Sequence, residues 1–284
     1  SFSELCNLFD SAPCIKQRRE NMKLYTLMEN TTCRPDFDAE HGLSLYIETD
    51  RHRLLFDIGQ SGTFADNAEK LGVDLAAVDC AVLSHGHYDH GGGLKRFLEI
   101  NDHAPVYLNR NAFGEYYHGP DRYIGLDPQL KKSGRLILTP DKFEIDDELS
   151  LCTCNEKTRP YPTDSAGLEE KTGDGFIPDI FLHEQYLTIR DGDRRIVLSG
   201  CSHKGILNIV EWLQPDVLIG GFHFKDKELS SGRNADLDLA AQILGGYPTE
   251  YYTCHCTGLP QYDYLKLIMG GKLHYLSAGQ TIEI

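Results

Sequence analysis

His85-Gly86-His87-Tyr88-Asp89-His90 follows directly on the apolar run Ala81-Val82-Leu83-Ser84. The run reads as a strand, and the six residues after it hold three imidazoles and a carboxylate. A strand ending in H-x-H-x-D-H brings nitrogen and oxygen donors to one point, a set that borderline divalent cations such as zinc and iron favour. The stretch therefore reads as a metal site.

A catalytic centre needs donors from elsewhere in the chain, and three later segments repeat the context of His85. Leu198-Ser199-Gly200-Cys201-Ser202-His203 ends an apolar run on a thiol and an imidazole. Tyr251-Tyr252-Thr253-Cys254-His255-Cys256-Thr257-Gly258 ends another on a histidine, and Ile219-Gly220-Gly221-Phe222-His223 ends a third. Four strand tips that carry donors point to one shared centre.

The 284 residues suffice for one large domain, with 40 % hydrophobic and 25 % charged residues, as in an ordinary globular protein. No apolar run approaches a membrane span. A formal charge of −15 argues against nucleic acid and anionic membranes as partners. Nine scattered cysteines suit a reducing compartment, which predicts a cytoplasmic protein. Cys152/Cys154 and Cys254/Cys256 are C-x-C pairs that share a strand face; most of these cysteines read as small buried hydrophobes.

Ser1–Asn21 shows no steady period and reads as an N-terminal extension to a single domain over residues 22–284. Lys23–Leu27 is strand-like, and Leu43–Thr49 with Arg53–Gly59 predicts a hairpin. Thr63-Phe64-Ala65-Asp66 opens a helix that Gly72 stops, and Gly91-Gly92-Gly93 predicts a tight turn before a helix over Leu94–Ile100. In the second half, Tyr186–Ile189 and Ile196–Leu198 flank a turn at Asp191-Gly192-Asp193. Helices are expected over Lys204–Leu213, Ala235–Leu244 and Pro260–Met269, alternating with strands Val217–Ile219, Glu250–Thr253 and Leu273–Leu276. Strand pairs followed by strand–helix alternation, twice over, predict two sheets packed face to face with helices outside. The segment from about Arg110 to Pro178 is irregular, either a cover over the site or a surface excursion.

With Phe56-Asp57-Ile58-Gly59 upstream, the H-x-H-x-D-H stretch resembles the metallo-β-lactamase superfamily. Gly200-Cys201-Ser202-His203, Gly220-Gly221-Phe222-His223 and His255-Cys256-Thr257-Gly258 resemble its branch of dihydropterin ribofuranosylaminobenzene phosphate synthases. The resemblance runs from about Met22 to Ile284 and implies an α/β fold, a four-layer αββα sandwich with a dinuclear site. It implies His85 and His87 on a first metal, and Asp89, His90 and His255 on a second. Cys201 falls where relatives carry a bridging aspartate, and a thiolate there softens the second position. For the third ligand of the first metal, His203 is preferred for its place at a strand tip; His183 or Glu184 is the rival. The expected cofactor is zinc, as two ions, with iron and manganese as alternatives.

The expected activity is hydrolysis of a small phosphate-bearing or ester substrate by metal-activated water, with Asp89 and His203 as catalytic residues. A transferase that expels diphosphate is the alternative, as is a redox or sensor protein without turnover. Ser202, Lys204 and His223 are candidate substrate contacts, the first two because they open a helix beside the metals. Asp57 is a candidate acceptor for a ligand imidazole. Tyr116, Tyr117, Tyr123 and Tyr161 either stack on a planar substrate ring or anchor a long loop. A homodimer is the assembly left open.

Overall fold

The computed structural model describes residues 22–230 and 232–284, so the expected extension Ser1–Asn21 lies outside the described residues. The chain begins as an antiparallel meander: β1 (Lys23–Met28), β2 (Ser44–Glu48) and β3 (Arg53–Phe56). Parallel strands β4 (Cys80–Val82), β5 (Val106–Asn109) and β8 (Leu136–Thr139) extend it. The last strand, β18 (Thr281–Glu283), pairs with β1 and completes seven strands.

The second sheet repeats this plan. Antiparallel β9 (Lys142–Glu144), β10 (Leu149–Cys152), β13 (Tyr186–Asp191) and β14 (Arg194–Leu198) lie on one side. Parallel β15 (Val217–Ile219), β16 (Glu250–Thr253) and β17 (Leu273–Tyr275) continue from β14.

Alternation along each strand explains the layers. Leu54 and Phe56 face the second sheet, where they meet Leu151, Leu187 and Leu198, while Leu55 points outward. Outward residues of the first sheet pack on α1 (Thr63–Leu71) and on α3 (Leu94–Ile100), which follows the one-turn helix α2 (Tyr88–Gly91). Outward residues of the second, among them Val197, Leu218 and Tyr251, pack on α4 (Ile206–Leu213), α5 (Ala235–Gly246) and α6 (Leu259–Met269). Strands covered on both faces read as unbroken apolar runs, and the result is the expected four-layer αββα sandwich.

Gly92 and Gly93 make the expected turn before α3, with φ −64° and −75°. Glycine is required by close approach: a Cβ on Gly92 would lie 2.2 Å from the Gln60 carbonyl oxygen. Two expectations need correction. The helix expected from Lys204 starts at Ile206, because Gly205 at φ 89° breaks the path before it.

The middle segment is not irregular. It forms a four-stranded sheet from β6 (Tyr116–His118), β7 (Arg122–Tyr123), β11 (Leu168–Thr172) and β12 (Gly175–Pro178). It consists of two local hairpins, and the pairing that joins them spans some fifty residues, as in Leu168 with His118, so no local period announces the sheet.

Candidate metal centre

The donors gather at the edge where β3, β4, β14, β15 and β16 end, because those strands run parallel within each sheet. In open α/β sheets the carboxyl ends of parallel strands are the usual ligand site. At this edge the sheets touch: a Cβ on Gly200 would lie 2.1 Å from Ser84 Oγ. Glycine is the residue that lets the two halves of the site meet.

Asp57, buried just past β3 at φ 56°, organises the loop after β4. Its carboxylate accepts from the Ser84 N–H and hydroxyl, both at 2.7 Å, and from His90 Nδ1–H at 2.6 Å. Ser84 Oγ, having donated to Asp57, accepts from His85 Nδ1–H at 2.8 Å. Each imidazole thus spends its Nδ1 proton inward and turns Nε2 toward the cleft. The expectation for Asp57 as an imidazole acceptor is met geometrically.

His85, His87 and His203 form one group, with a nitrogen of each within 4.8 Å of the others. His85 Nε2, His87 Nε2 and both ring nitrogens of His203 are buried without a hydrogen-bond partner. A buried polar atom left so costs about 1–3 kcal/mol. One nitrogen from each of three rings, gathered at one point, is a donor set that fits a cation. Burial first, and then neighbouring imidazoles, holds His85 and His203 well below the ordinary histidine range and His87 at about 3. They are neutral, as ligands must be.

Asp89, His90, Cys201 and His255 form the second group. His90 Nε2 lies 3.1 Å from Cys201 Sγ and 3.3 Å from His255 Nε2, and Asp89 Oδ2 is 3.3 Å from His255 Nε2. His255 gives its Nδ1 proton to Asn30 Oδ1 at 2.7 Å, so its Nε2 offers a lone pair. Burial opposes charge on Asp89, but His90, His255 and His41 outweigh it and hold the carboxyl well below its usual range. Burial also opposes charge on His90, yet Asp57 and Asp89 push it up to about 9. The pocket therefore favours a positive charge among a carboxylate, two imidazoles and a sulfur, the chemistry of a borderline dication.

His183 and Glu184 do not join either group. His183 Nδ1 accepts from the Gly86 N–H at 2.9 Å and its Nε2–H donates to Asp179 at 3.0 Å, so both ring nitrogens are committed. The Glu184 carboxylate accepts from the N–H groups of His203 and Lys204 and from the Tyr186 hydroxyl. Both hold the loops that carry His87 and His203.

The two groups floor an open cleft of about 490 Å³. His223, at φ 56°, lines it with its ring 4.5 Å from that of His203. Lys204 and Ser202 do not. Lys204 Nζ is fully buried and donates to the carbonyls of Thr153 and Glu184 at 2.7 and 2.8 Å, while Ser202 Oγ pairs with Ser199 Oγ at 2.7 Å. The cations in the lining are instead Arg122, Lys225 and Lys227, the last paired with Asp236, beside Asp164 and Asp226; the sequence reading missed all of these and His41.

The four tyrosines are absent from the cleft lining. Tyr116 packs on His183 at 3.9 Å between ring centres, and Tyr117 meets Tyr123 edge-on, so they anchor the four-stranded sheet. That sheet and the loops leading into it contribute His118, Arg122, Ile124, Asp164, Ala166 and Leu168 to the cleft, which makes it a cover.

A family model described as the metallo-beta-lactamase superfamily matches residues 38–231. An uncharacterized protein of Methanocaldococcus jannaschii is 33 % identical over 219 residues, 69 % of this chain and 77 % of the relative. The same organism's 7,8-dihydropterin-6-methyl-4-(beta-D-ribofuranosyl)-aminobenzene-5'-phosphate synthase is 29 % identical over 93 % of this chain and 97 % of the relative. Among solved structures, a metal-dependent hydrolase of the beta-lactamase superfamily superposes with a TM-score of 0.79 at 27 % identity, covering 93 % of this chain and 99 % of that one.

Proposed function

This chain belongs to the metallo-beta-lactamase superfamily, and on that premise we propose that it is a metal-dependent hydrolase of a small anionic substrate, a phosphate or other ester. The observation that carries the reading is the pair of buried donor groups, the nitrogens of the first without hydrogen-bond partners, at the floor of a cleft that Arg122, Lys225 and Lys227 help to line. His85, His87 and His203 would hold one cation and Asp89, His90, Cys201 and His255 the other. Nitrogen and sulfur donors favour zinc, with iron or manganese as alternatives. Two dications held there would lower the pKa of a bound water to about 7 and would take up charge that develops on the substrate.

The chain's own groups supply the rest. Asp89, ionised and accepting from His41 Nε2–H at 3.2 Å, is assigned to orient the attacking water. Arg122 and Lys225 are assigned to attract an incoming anion, which a protein of charge −15 would otherwise repel. His223 is the wall group nearest the first donor set and is assigned to the substrate.

The similarity to a synthase over nearly the whole of both chains supports a second reading, a transferase whose substrate loses diphosphate. Turnover of a panel of phosphate and carboxylate esters, with metal content measured on protein purified without chelator, separates the two. Hydrolysis that falls by more than about a hundredfold in both His87→Ala and Asp89→Ala supports the first reading, since even supporting residues of metal ligands contribute 10–100-fold. No ester turnover by a fully metallated protein overturns it and favours the transferase. Cys201→Asp should keep two cations per chain and shift preference toward manganese.

A further inference from the structure

Behind the turn that carries His203 lies a pair of thiols that the proposed reaction does not use. Cys152 closes β10 and Cys154 follows two residues later, with the sulfurs 3.9 Å apart. Cys154 sits at φ 54°, a backbone conformation that costs a non-glycine residue about 1–3 kcal/mol and needs support from its surroundings. That support comes through Thr153, whose N–H donates to the Asp141 carbonyl and whose own carbonyl accepts from Lys204 Nζ at 2.7 Å. Lys204 is fully buried, and both of its hydrogen bonds go to backbone carbonyls. Burial opposes its charge and the Glu184 carboxylate favours it, as a thiolate at Cys154 or Cys152 also would.

We propose that Cys152 and Cys154 form a reversible intramolecular disulfide, a redox modification site coupled through Lys204 to the His203 turn. The electrostatics agree: a hydrogen bond from Cys152 pulls the Cys154 thiol down against the effect of burial, with Lys157 and Lys204 adding to the pull. A low-pKa thiol beside a second thiol is the arrangement found where oxidation is selective.

The oxidant is a hydroperoxide. One sulfur, as thiolate, attacks the distal peroxide oxygen; the O–O bond breaks, and the departing oxygen takes up the proton that thiol gave away. The second sulfur attacks the resulting sulfenic sulfur, the S–S bond forms, and the sulfenic hydroxyl leaves as water with the second thiol's proton. Two thiols are oxidised and one peroxide is reduced to water and an alcohol, or to two waters. An external dithiol reverses the step.

Bonding draws the sulfurs from 3.9 Å to about 2.05 Å, and the Thr153 carbonyl between them shifts with them. Lys204 then loses an acceptor one residue from His203, whose N–H and that of Lys204 share the Glu184 carboxylate. Oxidised protein is expected to bind zinc about tenfold more weakly, the size of effect seen when groups supporting a metal ligand are disturbed. This coupling rests on the reading of His203 as a ligand; the disulfide does not.

The test is peptide mass mapping of the whole protein after stoichiometric hydrogen peroxide, beside zinc titration of the reduced and oxidised forms. The expected result is a Cys152–Cys154 peptide lighter by two hydrogens, restored by dithiothreitol and absent from Cys152→Ser and Cys154→Ser. Both thiols remaining reduced, or a sulfinic acid in place of the disulfide, overturns the site. Weakened zinc binding that persists in oxidised Cys152→Ser places the damage at Cys201 or Cys256 and overturns the coupling, as does unchanged affinity in the mapped disulfide form. If the reduced protein takes up no zinc at all, the metal reading fails while the mass result still decides the disulfide.

Discussion

The Asn30 side chain accepts from His255 Nδ1–H with its oxygen and lies 3.4 Å from His41 Nδ1 with its nitrogen. One amide thereby sets two tautomers: His255 turns a lone pair to the second donor group, and His41 turns an N–H to Asp89. Glu29 holds the same turn from behind, accepting from the His255 N–H at 2.6 Å and the Tyr275 hydroxyl at 2.8 Å. Asn30 is exposed and lies at the end of β1, so its loss should leave the fold intact. Asn30→Ala is therefore expected to weaken cation binding at the second group by 10–100-fold, with an unchanged circular dichroism spectrum. Zinc titration checks it, and affinity equal to that of the parent protein would show that the amide does not set the tautomer. None of these partners was legible in the sequence, because an Asn and a Glu after an apolar run have no spacing that ties them to a histidine some 225 residues away.

At the scale of elements, the parallel strands explain why so much of the site could be read directly. A parallel strand in an open α/β sheet ends on the same edge as its neighbours, so His85, Cys201, His223 and His255, each found at a strand tip, had to converge. Lys204 misled the reading for a complementary reason. A lysine beside a glycine after a strand looks like an anion site, but carbonyls from two distant segments draw it inward. The opposite edge of the sandwich also holds a device that no motif announced. His52, in the turn between β2 and β3, donates from its two ring nitrogens to Asp79 of the first sheet and Asp146 of the second at 3.1 and 2.7 Å.

Burial lowers His52, but the two carboxylates outweigh it and its pKa is raised above the usual value. A raised histidine stabilises the fold in full below its unfolded value, near pH 6.5, and that contribution fades as pH rises through the folded value. The stability gap between the parent protein and His52→Ala in urea should thus be wide at pH 6 and narrow by pH 9. A gap of constant width would mean that the ring acts by packing alone.

For the whole molecule, the two sheets meet at the site through small residues and polar groups, whereas between the two edges they meet through a continuous apolar core. The first donor group takes His85 and His87 from one half and His203 from the other; the second takes Asp89 and His90 from one, and Cys201 and His255 from the other. A cation in either position therefore cross-links the halves, and it binds a geometry that the unfolded chain lacks. Linkage then requires the melting temperature to rise with cation concentration, and at a thousand times the dissociation constant the gain is about 4 kcal/mol. Chelator-treated protein should melt several degrees lower and recover on stepwise addition of zinc. The steepest loss of that recovery is expected in His203→Ala, which removes the contribution of the second sheet to the first group. A melting temperature indifferent to zinc, in protein shown by elemental analysis to have been stripped, would mean that the sandwich closes on its apolar core alone and that the donors are not joined by a cation.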